Sequence, residues 1–386
     1  MFFYVLVWLI FGLLSIGPIT FIFSFMRKSS QWPWSTKVDT NYKPKVSIIV
    51  PTYNEADIIL SKLTNLNRIK YPRNLMEAII VDSNSNDGTQ EIIRQFLKGK
   101  PRINMKMLVE TARKGKSHAL NYALGHCVGD VIIVSDADCF LPQNILEEAI
   151  PFLGDPTVGA ISGPKILLNA NQTWVTRLEE SYLRSANVVR FGESKMGSTV
   201  FFEGGFSAFK KEAFYRFDPY DTGSDDCGTV ISVVERDFRA MLVPQARFFS
   251  AFPPSYQGKI MIKLRRANQL VRVFGKYLNL LSKGKIKTSL KTVVPNIFVY
   301  LFSPLFFVAF TILTLGLVAT FPFLLLTSLF LMIPRLRFYF CEVLESNLLL
   351  FASILAVLLG KKFSMWIQPK DRAWITKDIL TRFCLI

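Results

Sequence analysis

Two aspartates flank one alanine in Asp136-Ala137-Asp138, directly after the apolar run Val131-Ile132-Ile133-Val134. Carboxylates placed at a strand end can hold a divalent cation through oxygen, and oxygen ligands suit Mg2+ or Mn2+. A cation there would neutralise charge building on a departing diphosphate and act as a Lewis acid. The pair alone also fits a turn cap or a phosphatase-type site. A second acid, Asp82, closes the apolar run 78–81 and leads into Ser83-Asn84-Ser85-Asn86-Asp87-Gly88-Thr89. Asp87-Gly88 reads as a turn and Thr89 as a helix cap. Asp82, at a strand end, is placed to accept hydrogen bonds from a base or ribose. A third acidic cluster, Ser224-Asp225-Asp226, read alone is an N-cap cluster, because acids favour helix starts.

These acids need a frame that brings strand ends together. Apolar runs at 46–50, 78–81, 105–109 and 131–134 read as strands. Helical spacing occupies 56–66, 90–96 and 117–124, and a further strand is expected at 240–243. The alternation predicts an α/β domain with a mostly parallel sheet and helices on both faces. In such sheets ligands sit beyond the carboxyl ends of the strands. Asn54-Glu55, Asp82, Asp136 and Asp138 all fall there.

Half of the 386 residues are hydrophobic, and the apolar excess lies at the two ends. Residues 2–26 are almost wholly apolar and are followed by Arg27 and Lys28. That length crosses a hydrocarbon core of ~30 Å. The positive flank puts the N-terminus outside and residue 27 onward inside. A cleaved signal peptide fits less well, since a basic start and a small-residue cleavage site are lacking. Trp32 and Trp34 suit the lipid interface. Residues 293–333 exceed one span and read as a hairpin turning near 320–322, with Arg335 and Arg337 in a cytoplasmic loop. Residues 338–360 are apolar but carry Glu342, Glu345 and Asn347. A third full span would put the basic tail outside, against the positive-inside bias, so a re-entrant or interfacial segment is the alternative. The expected layout is an N-terminal transmembrane helix at 1–27, a linker at 28–44 and a catalytic domain at 45–255. Interfacial amphipathic helices follow at 256–290, then transmembrane or re-entrant helices at 291–360 and a cytoplasmic tail at 361–386.

The formal net charge is +17. A basic excess serves nucleic acid, anionic lipid or phosphorylated substrates. Scattered basic residues without a zinc-finger or RNP motif argue against nucleic acid and for membrane lipids. The five cysteines show no CxxC spacing, so neither a disulfide framework nor a zinc site is expected, and a reducing compartment fits. Cys384 is third from the end and is no prenylation signal.

Five segments in order resemble the motifs of family 2 glycosyltransferases. They are Pro51-Thr52-Tyr53-Asn54-Glu55, the run 81–89, Lys116-Ser117-His118-Ala119-Leu120-Asn121, Asp136-Ala137-Asp138 and Glu203-Gly204-Gly205. The resemblance covers roughly 45–275 and implies a GT-A fold and inverting sugar transfer. It implies that Pro51, Thr52, Glu55 and Asp82 hold the nucleoside and that Lys116 approaches the same nucleotide. Asp136 would contact ribose or metal, and Asp138 would be the metal ligand. The family often has a second acid after Asp82, and this chain has Ser83 there. Glu203, Gly204 and Gly205 resemble the acceptor-side motif, where glycines allow close backbone approach. Ser224-Asp225-Asp226 resembles the acidic base motif, with Asp226 as general base and Asp225 as helper or alternative base. An inverting transfer needs such a carboxylate to take the acceptor hydroxyl proton. His118 and His126, the two histidines, are not expected to serve as base.

The basic segment 263–269 reads as an interfacial helix, with Arg265 or Arg266 placed to clamp a diphosphate. Processive relatives carry Gln-x-x-Arg-Trp about here; this sequence is read as having neither the Gln nor the Trp in register, which points away from long-chain polymer synthesis. The implied reaction moves a sugar, expected to be UDP-linked, to a hydroxyl of a lipid-linked, glycolipid or glycan acceptor at the cell membrane. A polysaccharide synthase and a polyprenyl-phosphate glycosyltransferase are the alternatives within the class. A catalytically dead membrane scaffold would have lost metal or base carboxylates, and a phosphohydrolase would use water as acceptor.

Overall fold

The computed structural model describes residues 1–386 apart from Thr288, 324–325, 327–328, 330–331, 364–374 and Thr376. Nine strands are present: β1 (Val46–Thr52), β2 (Met76–Asp82), β3 (Asn104–Val109), β4 (Val131–Val134), β5 (Val158–Ser162), β6 (Lys165–Leu167), β7 (Ser207–Lys210), β8 (Arg239–Leu242) and β9 (Phe248–Ser250). Seven form one sheet in the order β3-β2-β1-β4-β7-β5-β8, and β6 pairs with β9. β2, β1 and β4 are buried along nearly their whole length, which is why they read as unbroken apolar runs. Ser47, the polar residue inside β1, donates to Glu77 Oε1 at 2.6 Å and so costs little to bury.

One strand breaks the parallel pattern. β7 runs antiparallel to β4 and β5, with Ser207 opposite Val134. The chain entering β7 therefore arrives where β4 ends, and Glu203-Gly204-Gly205 is carried next to Asp136. The sheet is thus mixed and mostly parallel, with helices packed on it, as expected. The expected strands appear with slightly longer bounds. β5, β6, β7 and β9 were not anticipated, being short and without a long apolar run.

The helices around the sheet are α2 (Ile59–Asn67), α3 (Thr89–Lys98), α4 (Lys116–Leu124), α5 (Ile145–Ala149), α6 (Trp174–Met196) and α7 (Asp225–Glu235). α6 was also unanticipated. A capping box starts it, Thr173 and Thr176 each donating a backbone N–H to the other's hydroxyl. α8 (Tyr256–Ser282) is the expected amphipathic helix, capped by Ser255, whose hydroxyl accepts from Gly258 N.

Among the described residues, three helices are long and apolar enough to cross a membrane: Phe2–Ser29, Leu290–Thr320 and Tyr339–Leu358. The first is α1 (Phe2–Ser29). Its last turn meets α6 at Gly192, where a Cβ would stand 2.2 Å from Met26 O. The second consists of α9 (Leu290–Ile297), a π turn at Phe298–Phe302 and α10 (Ser303–Thr320). It packs on α1 through Trp8 Nε1, which donates to Thr314 Oγ1, and Ser303 Oγ, which donates to Ser15 O. This helix ends where the hairpin turn was expected. No long helix occupies 321–333 among the described residues, so the expected second arm is not seen there. The third apolar helix belongs to α11 (Pro334–Leu358), which is continuous. Glu342 and Glu345, which made this segment look re-entrant, pair with two lysines of α8. Lys259 lies 2.7 and 3.0 Å from them, and Lys263 2.8 and 3.3 Å.

The expected tail lies partly outside the described residues. Its described end, with α12 (Lys377–Arg382), packs on the α/β domain: Leu380 and Leu385 join Ile58, Phe140 and Leu168. Asn65 Nδ2 donates to Leu385 O at 2.8 Å. The tail and the α/β domain therefore share one side of the apolar helices.

Candidate active site

The ends of β1, β2 and β4, the entry to β7 and the starts of α4 and α7 converge. Lys116, the first residue of α4, stands at the centre. Its ammonium lies 2.7 Å from Asp136 Oδ1 and 2.9 Å from Asp225 Oδ2. Gly204 closes over the group: a Cβ there would be 3.2 Å from Asp226 Oδ2, 3.6 Å from Asp136 Oδ2 and 3.9 Å from Lys116 Nζ. Any larger residue at 204 would fill the space these charges share. Asp226 Oδ1 accepts from Ser224 Oγ at 2.5 Å and from Cys227 N at 2.7 Å, which orients the other oxygen toward Gly204.

A cavity of about 760 Å³ contains this group. Pro51, Thr52, Glu55, Lys116, Asp136, Asp138, Glu203, Gly204, Asp225, Asp226, Arg265 and Arg266 all line it. Gly205 does not line it and packs at φ +122° against Phe248 and Cys139, where a side chain has no room. Asp82 requires a correction. It is fully buried and does not line the cavity. Its oxygens accept from Ser85 N, Ser85 Oγ, Gln90 Nε2 and Thr52 Oγ1. It shapes the loop after β2 and orients Thr52 from beneath the site.

The electrostatics favour a bound cation. Burial pushes Asp138 up, and Asp136 beside it adds to the effect. Burial also pushes Asp136 up, but the Lys116 ammonium outweighs it and holds that carboxyl below the usual range. Burial carries Asp225 up to about 6 against the pull of Lys116, with Asp226 and Asp136 pushing the same way. Four carboxylates crowd round one shared ammonium, and a divalent ion would relieve that crowding. Ligand atoms of Asp136, Asp138 and Cys139 lie within 4.8 Å of one another. Cys139 Sγ donates toward Asp138 Oδ1 at 3.6 Å, so it is a thiol here and not a thiolate ligand. The oxygen donors that remain fit Mg2+ or Mn2+.

Several residues of the site were missed in the sequence. Lys62 of α2 is fully buried; its ammonium donates to Ser135 Oγ at 2.7 Å and Cys139 O at 2.5 Å. Ser135 Oγ in turn donates to Gly205 O at 2.9 Å, tying the acidic turn to the glycine motif. Burial lowers the Lys62 ammonium to about 8, against the opposing pull of Cys139, Asp136 and Asp138. Lys62→Met leaves a core hydroxyl and a core carbonyl short of a partner, at about 1–3 kcal/mol each. The thermal midpoint of the detergent-solubilised protein should fall clearly; an unchanged midpoint would show that Lys62 does not brace the turn.

Ser83 is bonded where the second acid was wanting. It donates to Glu110 Oε2 at 2.6 Å, and His118 Nδ1 lies 2.5 Å from Glu110 Oε1, so a carboxylate from the end of β3 stands behind Ser83. Gln269 and Arg272 are also corrected. They are spaced as Gln-x-x-Arg with Val273 in place of Trp, so the Gln expected to be out of register is present and only the Trp is wanting. Gln269 Nε2 donates to Gly223 O and Arg272 Nη1 to Asp221 O, which pins the loop leading into Asp225-Asp226. Arg190, Tyr182 and Glu179 come from the unanticipated α6. Arg190 Nη1 donates to Glu203 Oε2 at 3.2 Å inside the same cavity.

This mixed sheet with acids at its strand ends defines a GT-A fold. The mannosyltransferase PcManGT from Pyrobaculum calidifontis, solved in complex with GDP-Man and Mn2+, shares it with a TM-score of 0.80 and 29% identity, over 92% of this chain and 99% of that one. Residues 47–217 match the Glycosyl transferase family 2 model, so the chain carries a family 2 glycosyltransferase domain, accompanied by apolar membrane-type helices. An N-acetylglucosaminyltransferase of Rhizobium meliloti is 27% identical over 61% of this chain and 58% of its own length. A beta-monoglucosyldiacylglycerol synthase of Synechocystis is 34% identical over 35% of this chain and 28% of its own. The chain spans about half the length of the first curated relatives it matches.

Proposed function

We propose that this protein transfers a hexosyl group, with inversion, from a nucleoside diphosphate sugar to a hydroxyl of a membrane lipid or glycolipid. The observation that carries the reading is the convergence of the two carboxylate pairs on Lys116 beneath Gly204. Asp136 and Asp138 would hold Mg2+ or Mn2+, which when bound offsets charge on the departing diphosphate. Lys116 and Arg265 face that diphosphate. Asp226 takes the proton of the attacking hydroxyl, and Asp225 holds Lys116 in place. Pro51, Thr52 and Glu55 flank the nucleoside, and Glu203 and Gly204 form the acceptor side.

A lipid acceptor is supported by the cavity's extent. It runs from Asp226 to Leu349 and Leu350 of α11 and Tyr300 of the second apolar helix. A hydroxyl carried on a lipid can reach Asp226 from the bilayer by that route. Read as three spans, the apolar helices would leave the α/β domain and the tail on one side, and Arg27 and Lys28 support the cytoplasm as that side. This count also removes the conflict between a full third span and the basic tail. It moves Arg335 and Arg337 to the opposite side.

The donor is tested by incubating membranes containing the protein with radiolabelled UDP-sugars and with GDP-mannose, the donor bound by the solved relative. Label should enter the lipid extract with one of them and require Mn2+ or Mg2+. Label released only into water would overturn transfer. Label entering polymer would instead favour a processive synthase, a reading that Gln269 and Arg272 keep in play.

A further inference from the structure

The cations that line the cavity differ in what holds them. Lys116 is bridged by Asp136 and Asp225. Arg190 pairs with Glu203, and Lys263 with Glu342 and Glu345. Arg266 lies 3.5 Å from Glu179 and 3.7 Å from Glu203. Lys165, the first residue of β6, differs from these. It lines the same cavity and is only 9% exposed, yet no carboxylate lies within ion-pair distance among the described residues. The centre of the Phe252 ring is 6.0 Å from its ammonium.

A buried ammonium without a counter-anion is costly, because the water it gives up is not replaced. Of the acids within its electrostatic reach, Asp136 is committed to Lys116, Glu203 to Arg190 and Glu179 to Arg266, and Asp138 lies beyond ion-pair distance of it. Its charge opposes the upward push of burial on Asp138 and Glu179 and adds to the lowering of Glu203 by Arg190 and Arg266. Sugar hydroxyls return less to a desolvated ammonium than an anion does. A compact ammonium suits a phosphate oxygen as a point charge.

We propose that Lys165 is a phosphate-binding residue of this site, completing its charge only when a ligand brings the anion. The proposal rests on the transferase reading above. Two sources supply the same chemistry: the diphosphate of the donor, or a phosphate carried by the lipid acceptor.

The test compares full-length wild type, Lys165→Gln and Lys165→Arg in detergent, with thermal midpoints checking that each is folded. Affinities for GDP and UDP are measured by titration with Mn2+ present. Acceptor KM is measured with undecaprenyl phosphate and with monoglucosyldiacylglycerol. If the phosphate belongs to the donor, Lys165→Gln weakens nucleoside diphosphate binding at least tenfold, and Lys165→Arg recovers most of it. If it belongs to the acceptor, diphosphate affinity stays the same while KM rises at least tenfold for undecaprenyl phosphate alone. Either result supports the assignment. Less than a twofold change in both overturns it, as does an equal rise in KM for the neutral glycolipid. Wild-type transfer in the same assays separates failure of this assignment from failure of the transferase reading.

Discussion

Asp226→Asn should still bind the donor with near-wild-type affinity while sugar transfer falls by about 10²–10⁴-fold, the usual worth of a positioned general base. The amide keeps the shape of the carboxylate and still accepts from Cys227 N through its oxygen. It cannot take a proton. The oxygen that faces Gly204 is the one with access to an incoming hydroxyl, since its partner oxygen is occupied by Ser224 and Cys227. Asp225→Asn should behave differently. Asp225 is 2.9 Å from Lys116 Nζ, so its loss frees the ammonium to swing and changes donor affinity as well as rate. Titration with nucleotide and a single-turnover transfer assay separate the two effects. Full transfer activity in Asp226→Asn would pass the base role to Asp225.

Much of this arrangement was legible in the sequence because parallel sheets place their ligands at strand ends, and an apolar run that stops at an acid marks such an end. Asp136 and Asp138 were found that way, whereas Lys116 came from the family resemblance and its place at a helix start. Asp82 shows where the rule misleads. A carboxylate at a strand end is equally suited to bind its own loop, and Ser85, Gln90 and Thr52 satisfy Asp82 before any ligand arrives. The position of Glu203-Gly204-Gly205 depended on an antiparallel β7 of only four residues, Ser207–Lys210, which has no periodic signal to announce it. Lys62 and Lys165 were invisible for another reason. A lysine in the sequence is by default a solvated charge, and burial comes from tertiary packing. The Gln269–Arg272 spacing stands in the sequence although the Gln was expected to be out of register, because Val273 replaces the Trp that would mark the pattern. Glu342 and Glu345 looked like a break in an apolar helix because their partners, Lys259 and Lys263, lie some eighty residues earlier.

Asp138→Ala should abolish metal-dependent donor cleavage, with transfer reduced at least about 10³-fold, as expected when several kcal/mol of charge neutralisation is lost. The reason lies in the local balance of charge. Lys116 already serves Asp136 and Asp225, so it cannot also offset a diphosphate without giving up one of them. Removing the Asp138 carboxylate leaves Asp136 as the single cation ligand of the turn, and that carboxylate is the one Lys116 holds most strongly. Mn2+ affinity in the presence of nucleoside diphosphate should therefore collapse, while the fold survives, because Asp138 lines the cavity and does not sit in the core. Asp82→Asn is the informative comparison. It removes a carboxylate from the neighbouring strand end but from beneath the site, so it should lower the thermal midpoint and leave the metal requirement intact. If Asp138→Ala kept its Mn2+ dependence while Asp82→Asn lost it, the metal ligands would have to be reassigned from the turn after β4 to the end of β2.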